Sequence, residues 1–172
     1  MALQGKFVVG NAPLEPLTLF GVGTFMAFSG NSVYRNRGGC TAVLNNGPIP
    51  AGKYWIVDRP TGGIRSRTEA WLKDTTNALL GKPSHRDEWF ALYRDDGLID
   101  DWTWVDGVKR GQFRLHPAGG RGASLGCVTL PSYADFSRIR QALLHTSTLP
   151  AGNSGINAYG WIEVIANGRS CP

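Results

Sequence analysis

Short stretches in which apolar and polar residues alternate are the main pattern of this chain, and such alternation is typical of half-buried β-strands. We predict strands at Phe7–Val9, Leu17–Phe28, Ala42–Leu44, Tyr54–Asp58, Trp89–Tyr93, Leu98–Val105, Gln112–His116, Cys127–Leu130 and Trp161–Ile165. Asp96-Gly97 and Asp106-Gly107 lie between apolar runs and are hairpin signals, and Asn46-Gly47 marks another turn. The pattern therefore predicts a mainly β, β-sandwich-like fold.

Two segments depart from this pattern and predict short α-helices. Ser66-Arg67-Thr68-Glu69 is a capping box before Ala70–Leu80, and Gly81 is placed to end that helix. Ser132 begins the second helix, and Pro150 lies beyond its end. Its apolar residues recur at helical spacing: Phe136, Ile139 and Leu143. No internal repeat or linker is visible, so residues 1–172 are expected to form one domain.

Composition narrows the class of protein. The 23 glycines and 10 prolines in 172 residues favour a turn-rich β fold over a helical bundle. The net charge of +5 is scattered and no nucleic-acid motif accompanies it, so an anionic polymer such as the cell wall is as good a partner as nucleic acid. The apolar run at residues 17–28 is too short to span a membrane. Residues 1–6 lack the features of a signal peptide, so we expect synthesis in the cytoplasm without stable membrane insertion.

The candidate chemistry lies in one segment, where His116 precedes Cys127 by 11 positions across glycine, alanine and serine residues. A nucleophilic thiolate needs a neighbouring imidazole to accept its proton and a tight turn that exposes the sulfur. Gly126, directly before the cysteine, allows backbone N–H groups to turn toward an oxyanion, and Ser124 is placed to hold the loop or the substrate. A backbone carbonyl is a plausible group to orient the imidazole. The alternative is a buried, inert thiol with a structural histidine.

The strand before the loop places a further candidate beside the histidine. Arg114 and His116 alternate with Phe113 and Leu115, so the first pair would face a cleft while the second fills the core. Arg114 is a candidate for binding a substrate carboxylate, as is Arg121 on the loop, although either could be an exposed charge. No metal is expected, because the chain lacks Cys-x-x-Cys and His-x-x-x-His spacing.

The combination of His116 with Ser124-x-Gly126-Cys127-Val128 resembles the signature of the L,D-transpeptidase (YkuD-like) superfamily. Ile49–Ile56 resembles the Thr-Pro-x-Gly-x-Phe/Tyr segment that enters a core strand there. Three further stretches look like the L,D-transpeptidase-like effectors of type VI secretion systems: Arg114–Pro117, Trp89–Gly97 and Gly126–Leu130. One departure is Thr129, which stands near where many housekeeping L,D-transpeptidases have an arginine. A substrate carboxylate would therefore need another partner in this chain, which weakens the expectation of cross-linking activity.

This resemblance implies a cysteine enzyme that modifies peptidoglycan through a thioester. The expected reaction is attack at the L-centre of meso-diaminopimelate in a stem tetrapeptide, which releases D-alanine. Water as acceptor gives L,D-carboxypeptidase action, and a D-amino acid or second stem gives L,D-transpeptidase action, without a cofactor. The implied partners are peptidoglycan stem peptides, an immunity protein and a secretion-system component. The implied site of action is the periplasm of a target bacterium. A different wall cysteine hydrolase and a non-catalytic wall-binding module remain the alternatives.

The other cysteines and the tryptophans carry weaker expectations. Cys40 and Cys171 could form a disulfide in an oxidising compartment, or both could stay reduced. The tryptophans are expected to pack in the core rather than to bind glycan, including Trp102 and Trp104 on one face of their strand.

Overall fold

The computed structural model describes residues 1–60, 88–119 and 124–172. Most of the regular structure in these residues is β, which confirms the predicted mainly β class. The strands are β1 (Leu3–Val9), β2 (Glu15–Leu19), β3 (Gly23–Ala27), β4 (Gly52–Asp58), β5 (Phe90–Arg94), β6 (Trp102–Val105), β7 (Val108–Gly111), β8 (Arg114–Pro117), β9 (Val128–Leu130), β10 (Leu149–Pro150) and β11 (Asn157–Ala166). The helices are α1 (Tyr133–Leu144) and two 3₁₀ turns, Ser32–Tyr34 and Gly38–Cys40.

Among the described residues, nine strands form one sheet in the order β3-β2-β1-β11-β4-β5-β8-β9, with β10 paired to β11. The β1–β11 and β8–β9 pairs are parallel, and the other pairs are antiparallel. The two ends of this order meet. Phe28, just after β3, exchanges backbone hydrogen bonds of 2.9 and 2.8 Å with Thr129 in β9. The sheet thus curls until its edges join beside β8 and β9, and this closure removes exposed edge hydrogen-bonding groups.

The core lies inside the curled sheet and is completed by α1. Phe136, Ile139 and Leu143 are fully buried against the strands, at the spacing that predicted this helix. The hydroxyl oxygen of Ser132 accepts a hydrogen bond from the N–H of Asp135, which confirms the predicted start. In β4, side chains on both faces are buried, because Tyr54 and the residues of its face join the main core while the opposite face packs in a second cluster. Strand β4 therefore lies at the centre of the fold.

Local turns make the structure differ from the prediction at two of the predicted strands. The stretch Leu17–Phe28 is a hairpin rather than one strand, since Gly21 has φ of 83° and the chain turns at residues 20–22 between β2 and β3. The prediction of a strand at Ala42–Leu44 was wrong, because these residues form turns after the second 3₁₀ helix. The carbonyls of Val43 and Leu44 accept hydrogen bonds from the N–H groups of Gly47 and Asn46 within these turns instead of pairing with another strand.

The two Asp-Gly signals have different outcomes. Asp106-Gly107 joins β6 to β7 as a hairpin, with φ of 48° and 78° at the two residues. Asp96-Gly97 does not join paired strands, because β5 pairs with β4 and β8 while β6 and β7 form a separate two-stranded sheet. The Asp96 carboxylate instead accepts a hydrogen bond from the Thr103 hydroxyl. The predicted strand Leu98–Val105 begins only at Trp102.

The tryptophans differ in how far they are buried. Trp55 is buried and packs edge to face with Trp161 at 5.7 Å between ring centroids, as predicted. The prediction for Trp102 and Trp104 was wrong, since 42% and 64% of their surface is exposed on the outer face of the β6–β7 hairpin. This hairpin is outside the main sheet, so alternation along β6 buries Thr103 instead. Trp71 and the predicted helix at 70–80, with its capping box and Gly81, lie outside the described residues.

A disulfide joins Cys40 to Cys171 and settles the alternative that the sequence left open. The C-terminal tail lies directly on the second 3₁₀ helix. A Cβ on Gly38 would lie 1.9 Å from the Asn167 carbonyl oxygen, and one on Gly39 would lie 2.3 Å from that of Ser170. Glycine is therefore required at both positions for the tail to reach Cys40.

Candidate active site

Strands β8 and β9 bring the two principal candidates together. They run parallel, with His116 opposite Thr129 and Leu115 opposite Val128. Cys127 directly precedes β9 and therefore aligns with Arg114 in the same register. Alternate residues of a strand share a face, so His116 and Arg114 lie on the same side as Thr129. Leu115 and Phe113 on the opposite side are buried in the core, where the sequence placed them.

The imidazole of His116 is held by neighbours on both ring nitrogens. Nδ1 lies 2.7 Å from the Pro117 carbonyl oxygen, which can only accept, so Nδ1 carries the proton of the neutral ring. Nε2 is then unprotonated and lies 3.4 Å from the Thr129 hydroxyl oxygen. This arrangement leaves Nε2 as the ring nitrogen that can act as a base. The orienting group is a backbone carbonyl, and its identity required the structure.

An aromatic ring lies against the imidazole and was not recognised from the sequence. Trp89 stacks on His116 with ring centroids 4.2 Å apart and planes inclined by 21°. The Arg59 guanidinium lies over the Trp89 ring, 5.8 Å from its centroid. The imidazole is 6% exposed, so its orientation is restricted by packing as well as by hydrogen bonds.

The thiol of Cys127 is free and 9% exposed, and it donates a long hydrogen bond of 3.8 Å to the Gln112 carbonyl. Burial raises the pKa of this thiol to about 11, against the opposing effects of the Arg114 backbone N–H and of the positive charges of Arg114 and Arg110. The resting group is therefore a neutral thiol at pH 7. A nucleophilic role for this sulfur would require removal of its proton during attack, rather than beforehand.

The loop before the thiol is shaped by two residues that the sequence identified. Buried Ser124 donates from its hydroxyl to the Cys127 carbonyl at 2.8 Å, which closes the turn. Gly126 has φ of 92°, in the left-handed region. A Cβ there would lie 2.5 Å from Nη2 of Arg110 and 3.0 Å from the Phe113 ring, so only glycine fits. Among the described residues, the N–H groups of Gly126 and Cys127 donate to no turn or loop carbonyl.

The two arginines proposed for substrate binding are placed differently. Arg114 forms a two-pronged ion pair with Asp101 at 2.7 and 2.8 Å, and Nη1 also donates to the Phe113 carbonyl. Its guanidinium is therefore occupied in this structure, so carboxylate binding by Arg114 remains a prediction that requires release from Asp101. Arg121 lies outside the described residues, and so does His85. His145 ends α1, where its Nδ1 contacts the Gln141 carbonyl oxygen, and it was not predicted as a site residue.

Comparison with protein families places this site in a known context. A family model described as the Tlde1 domain matches residues 23–152, which include both strands of the site and the loop between them. The chain belongs to the Tlde1 domain family. This is a family of type VI effectors related to L,D-transpeptidases, so the chain is assigned to effectors that act on peptidoglycan. No curated protein sequence and no solved structure matches it.

The Tlde1 match stops short of β1 and β11, which pair with each other in the centre of the same sheet. In residues 1–60, 88–119 and 124–172, no three His, Cys, Asp or Glu side chains are grouped to hold a metal ion. No helix within those ranges is long and apolar enough to cross a membrane.

Proposed function

We propose that this Tlde1 domain is a cysteine-dependent L,D-carboxypeptidase or L,D-transpeptidase that acts on the stem tetrapeptide of peptidoglycan. The observation that supports it best is the arrangement of a free thiol, a left-handed glycine before it and a histidine on the adjacent parallel strand whose Nδ1 donates to a backbone carbonyl. A nucleophile, a general base and an orienting group are the three parts of such a site. The substrate is the bond between meso-diaminopimelate and the terminal D-alanine.

The first half-reaction forms a thioester. As Sγ of Cys127 attacks the diaminopimelate carbonyl, Nε2 of His116 accepts the thiol proton, and a carbon–sulfur bond forms. The oxyanion that results is stabilised by the N–H groups of Gly126 and Cys127, which face no other acceptor in the turns and loops of the described chain. The amide carbon–nitrogen bond then breaks, and His116 returns the proton to the amine of D-alanine.

The second half-reaction depends on the acceptor. Water releases a stem tripeptide by hydrolysis, whereas the amine of a D-amino acid or of a second stem forms a new amide bond. In both cases His116 accepts a proton from the incoming group, and the thiol of Cys127 is regenerated. No metal or organic cofactor takes part in this scheme. Ser124 acts by holding the Cys127 carbonyl, which keeps the nucleophile loop closed during both steps.

We further propose that the enzyme is secreted and acts in the periplasm of a target bacterium, where a cognate immunity protein would protect the producing cell. Stem peptides are exposed on that side of the inner membrane. The Cys40–Cys171 disulfide supports this compartment, because disulfides persist in oxidising environments such as the periplasm. Expression of wild-type protein with a periplasmic export signal should lyse a Gram-negative host, whereas cytoplasmic expression and exported Cys127→Ala should be harmless.

The chemical test is mass analysis of muropeptides after incubation with purified protein. Tetrapeptides should lose one alanine, or exchange it when a D-amino acid is supplied, and Cys127→Ala should be inactive while keeping the wild-type circular dichroism spectrum. Ser147→Ala, which changes a small exposed side chain that belongs to neither β8 nor β9, is the control. A cut within the stem or between stem and glycan would assign a different wall hydrolase. Unchanged muropeptides with the wild type would leave a non-catalytic binding module.

A further inference from the structure

A buried arginine outside the family motif lies directly beneath the nucleophile loop. Arg110, in β7, is only 3% exposed. Its guanidinium donates to the backbone carbonyls of Thr41 at 2.7 Å, Pro48 at 2.6 Å and Gly47 at 2.9 Å. Among the described residues it forms no ion pair with a carboxylate, so the dipoles of backbone carbonyls are its compensation. A buried cation held this way keeps a positive charge inside the protein at considerable desolvation cost.

The same guanidinium also packs against Gly126, the residue before Cys127. Its Nη2 occupies the space where a side chain on Gly126 would begin, at 2.5 Å from the Cβ position. Its centre lies 5.3 Å from the Phe113 ring, whose edge contacts the same glycine. The left-handed backbone of Gly126 therefore packs against the Arg110 guanidinium, which is itself held by hydrogen bonds to three backbone carbonyls.

We infer that Arg110 is a positioning residue for Cys127, which fixes the Gly126–Cys127 peptide and supplies the nucleophile loop with a positive charge that no described carboxylate neutralises. This inference rests on the proposed function for its catalytic meaning, but its effect on the thiol does not depend on any substrate. The charge favours both the thiolate and the oxyanion, since negative charge develops on the side of the loop that Arg110 supports. A forked guanidinium is needed because a lysine ammonium cannot reach carbonyls of residues 41, 47 and 48 in one plane.

The effect of Arg110 on the thiol must be distinguished from the effects of the other charged or titratable groups around it. Arg114 and His116 face it from β8, and the charge of Arg114 is paired with Asp101, which precedes β6. Tyr54 of β4 is near Arg110 but is a neutral phenol at neutral pH because burial raises its pKa. Arg110 differs from Arg114 in that no described carboxylate neutralises it. Removing the charge of Arg110 should therefore lower the reactivity of the Cys127 thiol.

The experiment measures the rate of Cys127 alkylation by iodoacetamide from pH 7 to pH 11 in the oxidised protein. The variants are Arg110→Met, which removes charge at similar length, and Arg110→Lys, which keeps charge but loses the fork. Arg94→Met is the matched control, because Arg94 also donates to backbone carbonyls, of Ala51 and Trp104, but does not contact the Gly126 loop. Circular dichroism and the presence of the disulfide establish that each variant is folded.

Arg110→Met should alkylate about tenfold more slowly at pH 8, with its profile displaced by about one pH unit to the alkaline side. Arg94→Met should follow the wild type. Coincident profiles for the Arg110→Met and Arg94→Met proteins would overturn the inference. If Arg110→Met does not fold, Arg110→Lys decides: muropeptide turnover at least tenfold below that of Arg94→Lys supports positioning, and equal turnover overturns it. Wild-type inactivity on muropeptides, with the alkylation shift present, would refute the proposed function alone.

Discussion

The Cys40–Cys171 disulfide is expected to contribute a large share of the stability of this protein. The bond closes a loop between cysteines 131 residues apart, and the reduction in the entropy of the unfolded chain for a loop of this length corresponds to about 5 kcal/mol at 25 °C. Measured contributions are commonly smaller, so we expect a loss of about 3 to 5 kcal/mol. For a chain of this size, that corresponds to a fall in Tm of about 10 to 15 °C.

Cys171→Ala is the appropriate perturbation. Cys171 lies in an exposed tail whereas Cys40 is fully buried, so replacing Cys171 removes the cross-link without leaving a cavity in the core. Thermal unfolding of wild type and variant, followed by circular dichroism with and without reductant, measures the effect. Reductant should lower the Tm of the wild type to that of the variant and leave the variant unchanged. Titration of the denatured protein should find one thiol in the wild type, that of Cys127.

Two results would refute this reasoning. An equal Tm for the wild type and Cys171→Ala, with the disulfide shown to be present in the wild type, would mean that the unfolded chain is not restrained by the bond. Three free thiols in wild type purified from an oxidising compartment would mean that the bond does not form. The position of the tail against Gly38 and Gly39 would then have to be maintained by packing alone.

Three further predictions follow from the site and the surface. Because burial raises the pKa of Cys127 to about 11, its alkylation should accelerate about tenfold per pH unit between pH 7 and pH 10; a plateau below pH 8 would show a preformed thiolate. Trp89→Leu should lower turnover about tenfold or more, since the ring stacked on His116 is lost, while Trp89→Phe should recover most activity; wild-type turnover in Trp89→Leu would contradict a role in holding the imidazole. Trp104→Ala should change the free energy of unfolding by less than about 1 kcal/mol, whereas Trp55→Ala should cost about 3 to 5 kcal/mol, as measured by urea denaturation; equal losses would show that the β6–β7 hairpin packs its tryptophans after all.

Much of the fold that the sequence predicted correctly depends on short-range rules. The start of α1 at Ser132 depends on one side chain and the N–H three residues later, and the turn at Asp106-Gly107 depends on backbone conformations that glycine and aspartate tolerate. The need for glycine at position 126 is likewise a local property of a left-handed backbone. Where a pattern had no such local mark, as at Ala42–Leu44, alternation alone predicted a strand that does not form.

The candidate site shows the same division. His116, Ser124, Gly126 and Cys127 were found as candidates because they lie within one short segment with a recognisable spacing. Their partners come from distant parts of the chain: Trp89 precedes β5, Arg110 lies in β7, and Asp101 holds Arg114 from the start of the β6–β7 hairpin. Only the paired register of β8 and β9 places His116 opposite Thr129, two residues after Cys127.

The sequence by itself predicted the class of fold, the segment that carries the candidate chemistry and the residue types in it. The tertiary structure decided which strands meet, that Phe28 closes the sheet on Thr129, that Cys40 bonds to Cys171, and that Trp102 and Trp104 face solvent. Periodicity determines which side chains of a strand share a face, but it carries no information on which strand or surface that face meets. Those choices follow from the free energy of packing the whole chain, in which residues far apart in sequence contribute together.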